Sequence, residues 1–177
     1  YYAVDGAKRM QRLVADLLAY ARVGSQGKTL LPVDSEIVVR GVLNILGPAI
    51  RAAEAEIVVG KLPTVLADEV QLRQLFQNLI GNALKFRGSA PPRVVIRAEP
   101  RDEYWLYSVE DNGIGIEMQY RERVFQMFQR LHERGKYEGS GIGLAIAKRI
   151  LDRHGGEIWL ESEPGIGTKF LFTLHSG

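Results

Sequence analysis

The sequence predicts a two-layer α/β sandwich, a mixed sheet with helices on one face, preceded by a single long helix. Three observations predict it. Apolar runs of strand length alternate with segments of helical period. Two pairs of these runs flank short polar turns and read as hairpins, which a doubly wound parallel sheet lacks. The 177 residues, 46% hydrophobic and 25% charged, suffice for one sizeable core plus an appendage.

The helix comes first. From Asp5 to Val23, residues Met10, Leu13, Leu17 and Tyr20 recur at helical spacing, flanked by Val14, Leu18 and Ala21. The stripe is too wide for a solvated helix and should pack against partner helices. Gly24-Ser-Gln-Gly27 reads as a linker. Thr29 to Val33 is a strand candidate, and Asp34 or Ser35 caps a helix running to about Ala53, kinked at Gly47-Pro48. Glu56 to Val59 and Thr64 to Ala67 are short strands around a Gly60-Lys-Leu-Pro63 turn. Asp68 caps a helix from Glu69 to Phe86 with Val70, Leu72, Leu75, Phe76, Leu79, Ile80 and Ala83 on its apolar face. Arg93 to Glu99 and Tyr104 to Glu110 form the first hairpin. A helix from Gly141 or Ile142 ends near His154, before Gly155-Gly156. Glu157 to Glu161 and Thr168 to Leu174 form the second hairpin.

Composition excludes several functions. The net charge is +2 with signs interspersed, which argues against a nucleic-acid partner. The chain has no cysteine, so disulfides, thiolate metal sites and cysteine nucleophiles are excluded, and a reducing, cytoplasmic setting is expected. No apolar run approaches the ~20 residues of a membrane span, and no direct membrane contact is expected. The start, Tyr1-Tyr-Ala-Val-Asp5, has no signal-peptide pattern and opens mid-pattern, as a piece of a larger protein does.

Four segments bear chemistry. On the helix Glu69 to Phe86, Asn78, Asn82 and Lys85 share a face. An asparagine oxygen is a hard ligand suited to Mg²⁺ and lysine a point charge suited to phosphate, although the spacing taken alone favours a solvated polar face. Asp111-Asn-Gly-Ile-Gly-Ile116 places a carboxylate at a strand end. Such a group accepts hydrogen bonds only, so it suits an exocyclic amino group such as adenine N6, and its glycines admit a flat ligand close to backbone. The plain alternative is a carboxylate bonded to its own loop. Gly139-Ser-Gly-Ile-Gly-Leu144 opens a helix, whose free N–H groups suit phosphate. It matches neither the Walker pattern nor a Rossmann turn. Gly165-Ile-Gly-Thr168 turns into the last strand. Between the glycine clusters, Phe125-Gln-Met-Phe128 and the basic run with Arg130, Arg134 and Lys136 suit a mobile lid.

In order and spacing these segments resemble the ATP-binding domain of sensor histidine kinases in the GHKL superfamily, whose sandwich is the Bergerat fold. Asn78 to Phe86 resembles the N box, Asp111 to Gly115 the G1 box, Phe125 to Phe128 the F box and Gly139 to Gly143 the G2 box. Gly165 to Thr168 resembles the final Gly-x-Gly-Thr turn. The likeness spans roughly Leu30 to Leu174 and is strongest to phytochrome-type and PAS-linked kinases.

The resemblance implies ATP and Mg²⁺ as ligands. Asp111 would bind adenine N6, with Thr168 supporting it through water. Asn82 would hold Mg²⁺ beside Asn78, Lys85 and Arg130 would contact phosphates, and Phe86 would pack near the base. Gly113, Gly115, Ile116, Gly139, Ser140, Gly141, Gly143 and Leu144 would shape the pocket and lid. Asn78 stands where the superfamily's ATPases typically carry a glutamate base, which implies slow hydrolysis. His132, His154 and His175 lack the neighbours of a phosphoacceptor, so transfer is expected to a histidine on a helix preceding Tyr1. Residues 1–27 would then be the second helix of a dimerisation hairpin plus linker, and 28–177 the catalytic domain. The full-length parent would be a homodimer through that hairpin and would pass the phosphoryl group to a response-regulator receiver domain.

Overall fold

The computed structural model describes residues 2–25, 29–129 and 140–177. Helix α1 spans Tyr2–Ser25. Then follow β1 (Leu31–Asp34), α2 (Ser35–Ile45), α3 (Gly47–Ala52), β2 (Glu56–Val59), β3 (Thr64–Ala67), α4 (Glu69–Lys85), β4 (Arg93–Arg101) and β5 (Tyr104–Asp111). Two short 3₁₀ turns, Met118–Tyr120 and Arg123–Phe125, precede α5 (Gly143–Arg153), β6 (Ile158–Glu163) and β7 (Gly167–His175).

Local chemistry accounts for the helix starts. The Asp34 carboxylate accepts from the N–H groups of Glu36 and Ile37 at 2.9 and 3.2 Å. Asp68 does the same for Val70 and Gln71 at 3.1 and 3.3 Å. Each satisfies donors that a first turn leaves without intrahelical acceptors. The expected kink at Gly47-Pro48 is a full break, because Pro48 has no N–H to continue the ladder; α2 ends at Ile45 and α3 restarts at Gly47.

Five strands form the main sheet in the order β2-β4-β5-β7-β6, with β2 parallel to β4 and the other pairs antiparallel. Both hairpins form. The first is tighter than expected, turning at Asp102-Glu103, and both strands of the second are longer. The two short strands around Gly60-Lys-Leu-Pro63 both form, but they do not pair with each other. The Gly60 N–H donates to the Ile96 carbonyl at 2.9 Å and holds β2 along β4, after which the chain turns away. β3 then pairs with β1 in a separate two-stranded sheet, an element the sequence does not announce. The first strand also begins later than expected, at Leu31.

The core lies between the inner face of the main sheet and α2, α4 and α5. Tyr107 and Phe172 stack at 5.0 Å, and Phe76 of α4 meets both edge-on at 5.9 and 5.8 Å. The buried Tyr107 hydroxyl bonds Ser35 Oγ at 2.7 Å. Leu72, Leu75, Leu79 and Ile80 bury the predicted α4 stripe, but Val70 is 62% exposed and does not belong to it, because at about 100° per residue it shares a face with the exposed Arg73 and Gln77, opposite the stripe. On α1 the described residues that engage the domain run from Leu13 onward. Val23 is buried, Leu13 and Tyr20 pack against the core, and the Arg149 guanidinium of α5 lies 4.3 Å from the Tyr20 ring. Met10, Leu17 and Leu18 of the same stripe stay exposed. Among the described residues no helix is long and apolar enough to cross a membrane.

Candidate functional site

The inward side chains of the sheet form rows across β4, β5, β7 and β6. One row reads Ile96, Val109, Phe170 and Leu160, entirely apolar. The next, at the sheet's end, reads Val94, Asp111, Thr168 and Ser162. Polarity therefore switches on at one edge of an otherwise oily face, on the three strands β5, β7 and β6. Polar groups on an inward face require partners or a ligand.

Those partners are specific. Asp111 Oδ1 accepts from Gly113 N–H at 2.8 Å and Thr168 N–H at 3.3 Å. Ser162 Oγ bonds the Gly167 carbonyl at 2.8 Å, Thr168 Oγ1 at 2.8 Å and the Ile116 N–H at 2.7 Å. Burial lifts the Asp111 carboxyl to about 6, against the opposing pull of the bonds from Gly113 and Thr168 and with a small push from Glu110. At neutral pH it is a desolvated carboxylate, favourably placed to meet a donor.

The loop after β5 is clamped to its surroundings by backbone. Ile114 N–H donates to the Phe86 carbonyl at 3.0 Å, and Gly165 N–H to the Ile114 carbonyl at 2.8 Å. A Cβ at Gly113 would stand 2.3 Å from the Phe86 oxygen, and one at Gly115, where φ is +72°, 2.1 Å from the Glu163 oxygen. Only glycine fits either place. Ile116 is partly buried against the core.

The C-terminal half of α4 forms a second wall. Phe86 N–H closes the last turn on the Asn82 carbonyl at 2.9 Å, so Asn82 sits one turn from the loop clamp. Asn78 Nδ2 donates to the Gly143 carbonyl at the start of α5, at 3.0 Å. Asn82, half-buried, makes no side-chain hydrogen bond among the described residues. The Lys85 ammonium lies 4.5 Å from the Phe86 ring. At the third wall, Ser140 Oγ accepts from Ile142 N–H at 3.3 Å, the Gly141 carbonyl accepts from Phe128 N–H at 3.0 Å, and Leu144 packs on the core. Ile142, the N-cap of α5, offers no side-chain acceptor to the N–H groups of the first turn. The helix begins at Gly143, later than Gly141 or Ile142. Arg130 and Gly139 lie outside the described residues, as does His132.

The structure thus brings the four sequence segments to one end of the sandwich. It adds Ser162, which sequence reasoning missed, and Asn112, whose side chain bonds Arg93 N–H and the Pro91 carbonyl at 2.7 and 3.1 Å. A groove of about 570 Å³ also opens at this sheet end, lined by Arg93, Glu110 and Lys169 besides Asp111 and Thr168. Asn78, Asn82 and Lys85 do not line it, and its added residues point outward from the sheet, so it is distinct from the space between α4 and the loop.

His154 is a structural residue, as expected. Its Nε2 accepts from Asp68 N–H at 3.0 Å, which leaves Nδ1 protonated toward the Ile150 carbonyl at 2.7 Å. Burial lowers its pKa.

A family model described as "Histidine kinase-, DNA gyrase B-, and HSP90-like ATPase" matches residues 67–177. The chain is 47% identical over 176 residues to phytochrome-like protein Cph1 of Synechocystis sp., covering 99% of this chain and 24% of that protein. It is 33% identical over 174 residues to the adaptive-response sensory kinase SasA of Trichormus variabilis, covering 95% and 43%. Among solved structures, full-length ShkA in complex with AMPPNP superposes with a TM-score of 0.81 at 32% identity, over 98% of this chain and 37% of that one. The chain spans about a quarter of the phytochrome-like relative. Fold, motif order and these matches agree: the chain belongs to the histidine kinase-, DNA gyrase B- and HSP90-like ATPase family, with the Bergerat sandwich.

Proposed function

We propose that residues 28–177 are the catalytic domain of a sensor histidine kinase, binding ATP with Mg²⁺ and transferring its γ-phosphoryl group to a histidine that is none of the three in this chain. The observation that carries this reading is the polar row Asp111, Thr168 and Ser162, clamped through Ile114 and Phe86 to a helix bearing Asn78, Asn82 and Lys85.

The residues suit the ligands. An ionised Asp111 accepts from the adenine amino group, and Gly113 and Gly115, packed against the Phe86 and Glu163 carbonyls, hold the loop in place beside it. Asn82 offers an amide oxygen with no competing partner, and no group of three or more His, Cys, Asp or Glu among the described residues forms a rival metal cage. That donor set suits Mg²⁺, which keeps waters and substrate phosphates as ligands. When bound, the ion neutralises charge developing on the phosphates. Lys85 and Arg130 add cationic contacts, and the uncapped start of α5 faces N–H groups toward anionic oxygens.

In the transfer, a neutral acceptor imidazole nitrogen forms the new P–N bond while the bond from phosphorus to the β,γ-bridging oxygen breaks. ADP leaves with the electron pair, and the imidazolium proton passes to solvent. Asn78 is an amide engaged with Gly143 and is no general base, so the competing attack of water is slow. Residues 1–27 act as a helix of the dimerisation hairpin plus linker, with the exposed Met10, Leu17 and Leu18 as its contact face. A receiver domain takes the phosphoryl group onward, and dependence on ATP implies a cytoplasmic location.

The test supplies ATP–Mg²⁺ and a separately made acceptor-helix protein of the same family. Phosphohistidine on the acceptor, with slow phosphate release in its absence, is expected. ATP binding without any transfer would instead favour a nucleotide-responsive interaction module, and fast phosphate release an ATPase.

A further inference from the structure

Resting on the ATP reading above, we propose that Ser162 is a specificity-determining positioning residue, which takes up the Thr168 hydroxyl proton so that the polar row presents only acceptors to the base. The inference follows from counting hydrogens around one oxygen. Ser162 Oγ has three neighbours within hydrogen-bond distance: the Gly167 carbonyl at 2.8 Å, the Ile116 N–H at 2.7 Å and Thr168 Oγ1 at 2.8 Å. The carbonyl only accepts, so the one Ser162 proton goes to it. The Ile116 N–H only donates, and it occupies one Ser162 lone pair. The remaining contact then requires Thr168 to donate into the second lone pair. The opposite assignment would leave the Ser162 and Gly167 oxygens facing each other with no hydrogen between them.

Thr168 is therefore left with lone pairs alone, at a site only 6% exposed. Beside it in the row, Asp111 uses Oδ1 for Gly113 and Thr168 N–H groups, and its remaining lone pairs also only accept. The row matches a purine whose six-position carries N–H groups, directly or through a water whose hydrogens point at Thr168. A six-oxo purine sets oxygen against oxygen. A free threonine would escape this conflict by rotating its hydroxyl to donate; Ser162 removes that option. One serine also ties the base-reading row to the glycine loop through Ile116, although it touches no base itself.

The experiment measures the affinity of the 177-residue chain for ATP and for inosine triphosphate, with Mg²⁺, by calorimetry. The readout is the ratio of the two dissociation constants. In Ser162→Ala the preference for ATP is expected to fall about fivefold, as the freed Thr168 gains one neutral hydrogen bond to the six-oxo group. Thr168→Val also lowers the preference, since it deletes an acceptor that only ATP uses. Adding Ser162→Ala to Thr168→Val changes the ratio no further. A purely structural serine weakens both nucleotides alike and leaves the ratio unchanged, which overturns the proposal. If Ser162→Ala does not fold, Thr168→Val decides alone: a raised preference for ATP means that Thr168 donates into the site, and the proposal is wrong. Failure of the wild-type chain to bind ATP, or binding indifferent to Asp111→Asn, removes the ATP reading itself. Asp111-dependent binding with an unchanged ratio removes only the role of Ser162.

Discussion

The two ends of the site are built differently. At the base end, Asp111, Thr168 and Ser162 sit on adjacent strands in one register, and each is held by at least two hydrogen bonds from the protein itself. At the proposed phosphate end, Asn78 is held by a single side-chain hydrogen bond, to the Gly143 carbonyl, and Asn82 by none among the described residues. Strand register fixes side chains in place without ligand, so on the proposed reading the first end would read the base by preorganisation. The second depends on ions and phosphates to complete it. Recognition and chemistry are thereby separable, and substitutions should split along that line.

The largest effect is expected at the phosphate end. Asn82→Ala should lower phosphoryl transfer by at least about 100-fold, judged by phosphohistidine formed on a supplied acceptor. Adenosine binding should survive it. Loss of adenosine binding as well would merge the two ends into one.

The base end should show itself in pH. Its carboxyl, at about 6 in the free protein, is ionised at neutral pH, the form that on the proposed reading accepts from adenine. Adenosine affinity should fall about tenfold for each pH unit below about 6, and Asp111→Asn should flatten that dependence. Stability runs the other way. The folded pKa lies above the ordinary value of 3.8, so the group destabilises the apo fold above about 6, and that penalty disappears as pH falls toward 4. Asp111→Asn should therefore stabilise the ligand-free chain at pH 7.5, by about 1–3 kcal/mol in denaturant unfolding. A destabilised variant would mean that the carboxylate serves the fold and not a ligand.

Smaller effects sharpen the division. Lys85→Ala should weaken ATP about fivefold and leave adenosine unchanged in the same titration, as loss of one partly exposed cationic contact does. Leu17→Lys, on the exposed stripe of α1, should alter neither affinity by as much as twofold.

Much of this architecture was legible because it is local. Asp34 and Asp68 announce their helices by capping chemistry, and glycines at 113 and 115 announce a close approach. What was hidden depends on register. β3 finds β1 and not β2 because Gly60 stays with Ile96, a pairing that lies 36 residues away and leaves no local mark. Val70 is a different case: helical period itself sets it with the exposed Arg73 and Gln77, opposite the buried stripe, so placing it on the stripe misreads the period. Ser162 falls just past the strand end predicted at Glu161, and the structure places it within β6. It acquires meaning only when β6 is laid against β7 and its inward neighbours prove to be Thr168 and Asp111. On α1, periodicity reported a contact stripe correctly at Leu13 and Tyr20, but a stripe does not say which chain covers Met10 and Leu17.

The most direct test of the account is the calorimetric affinity of ATP–Mg²⁺ for the wild-type chain and for Asp111→Asn at pH 7.5. Loss of one charge-assisted hydrogen bond predicts binding about 10- to 100-fold weaker in a variant that remains folded. Equal affinity in the two proteins would contradict a base-reading role for Asp111 and, with it, the assignment of the polar row to adenine.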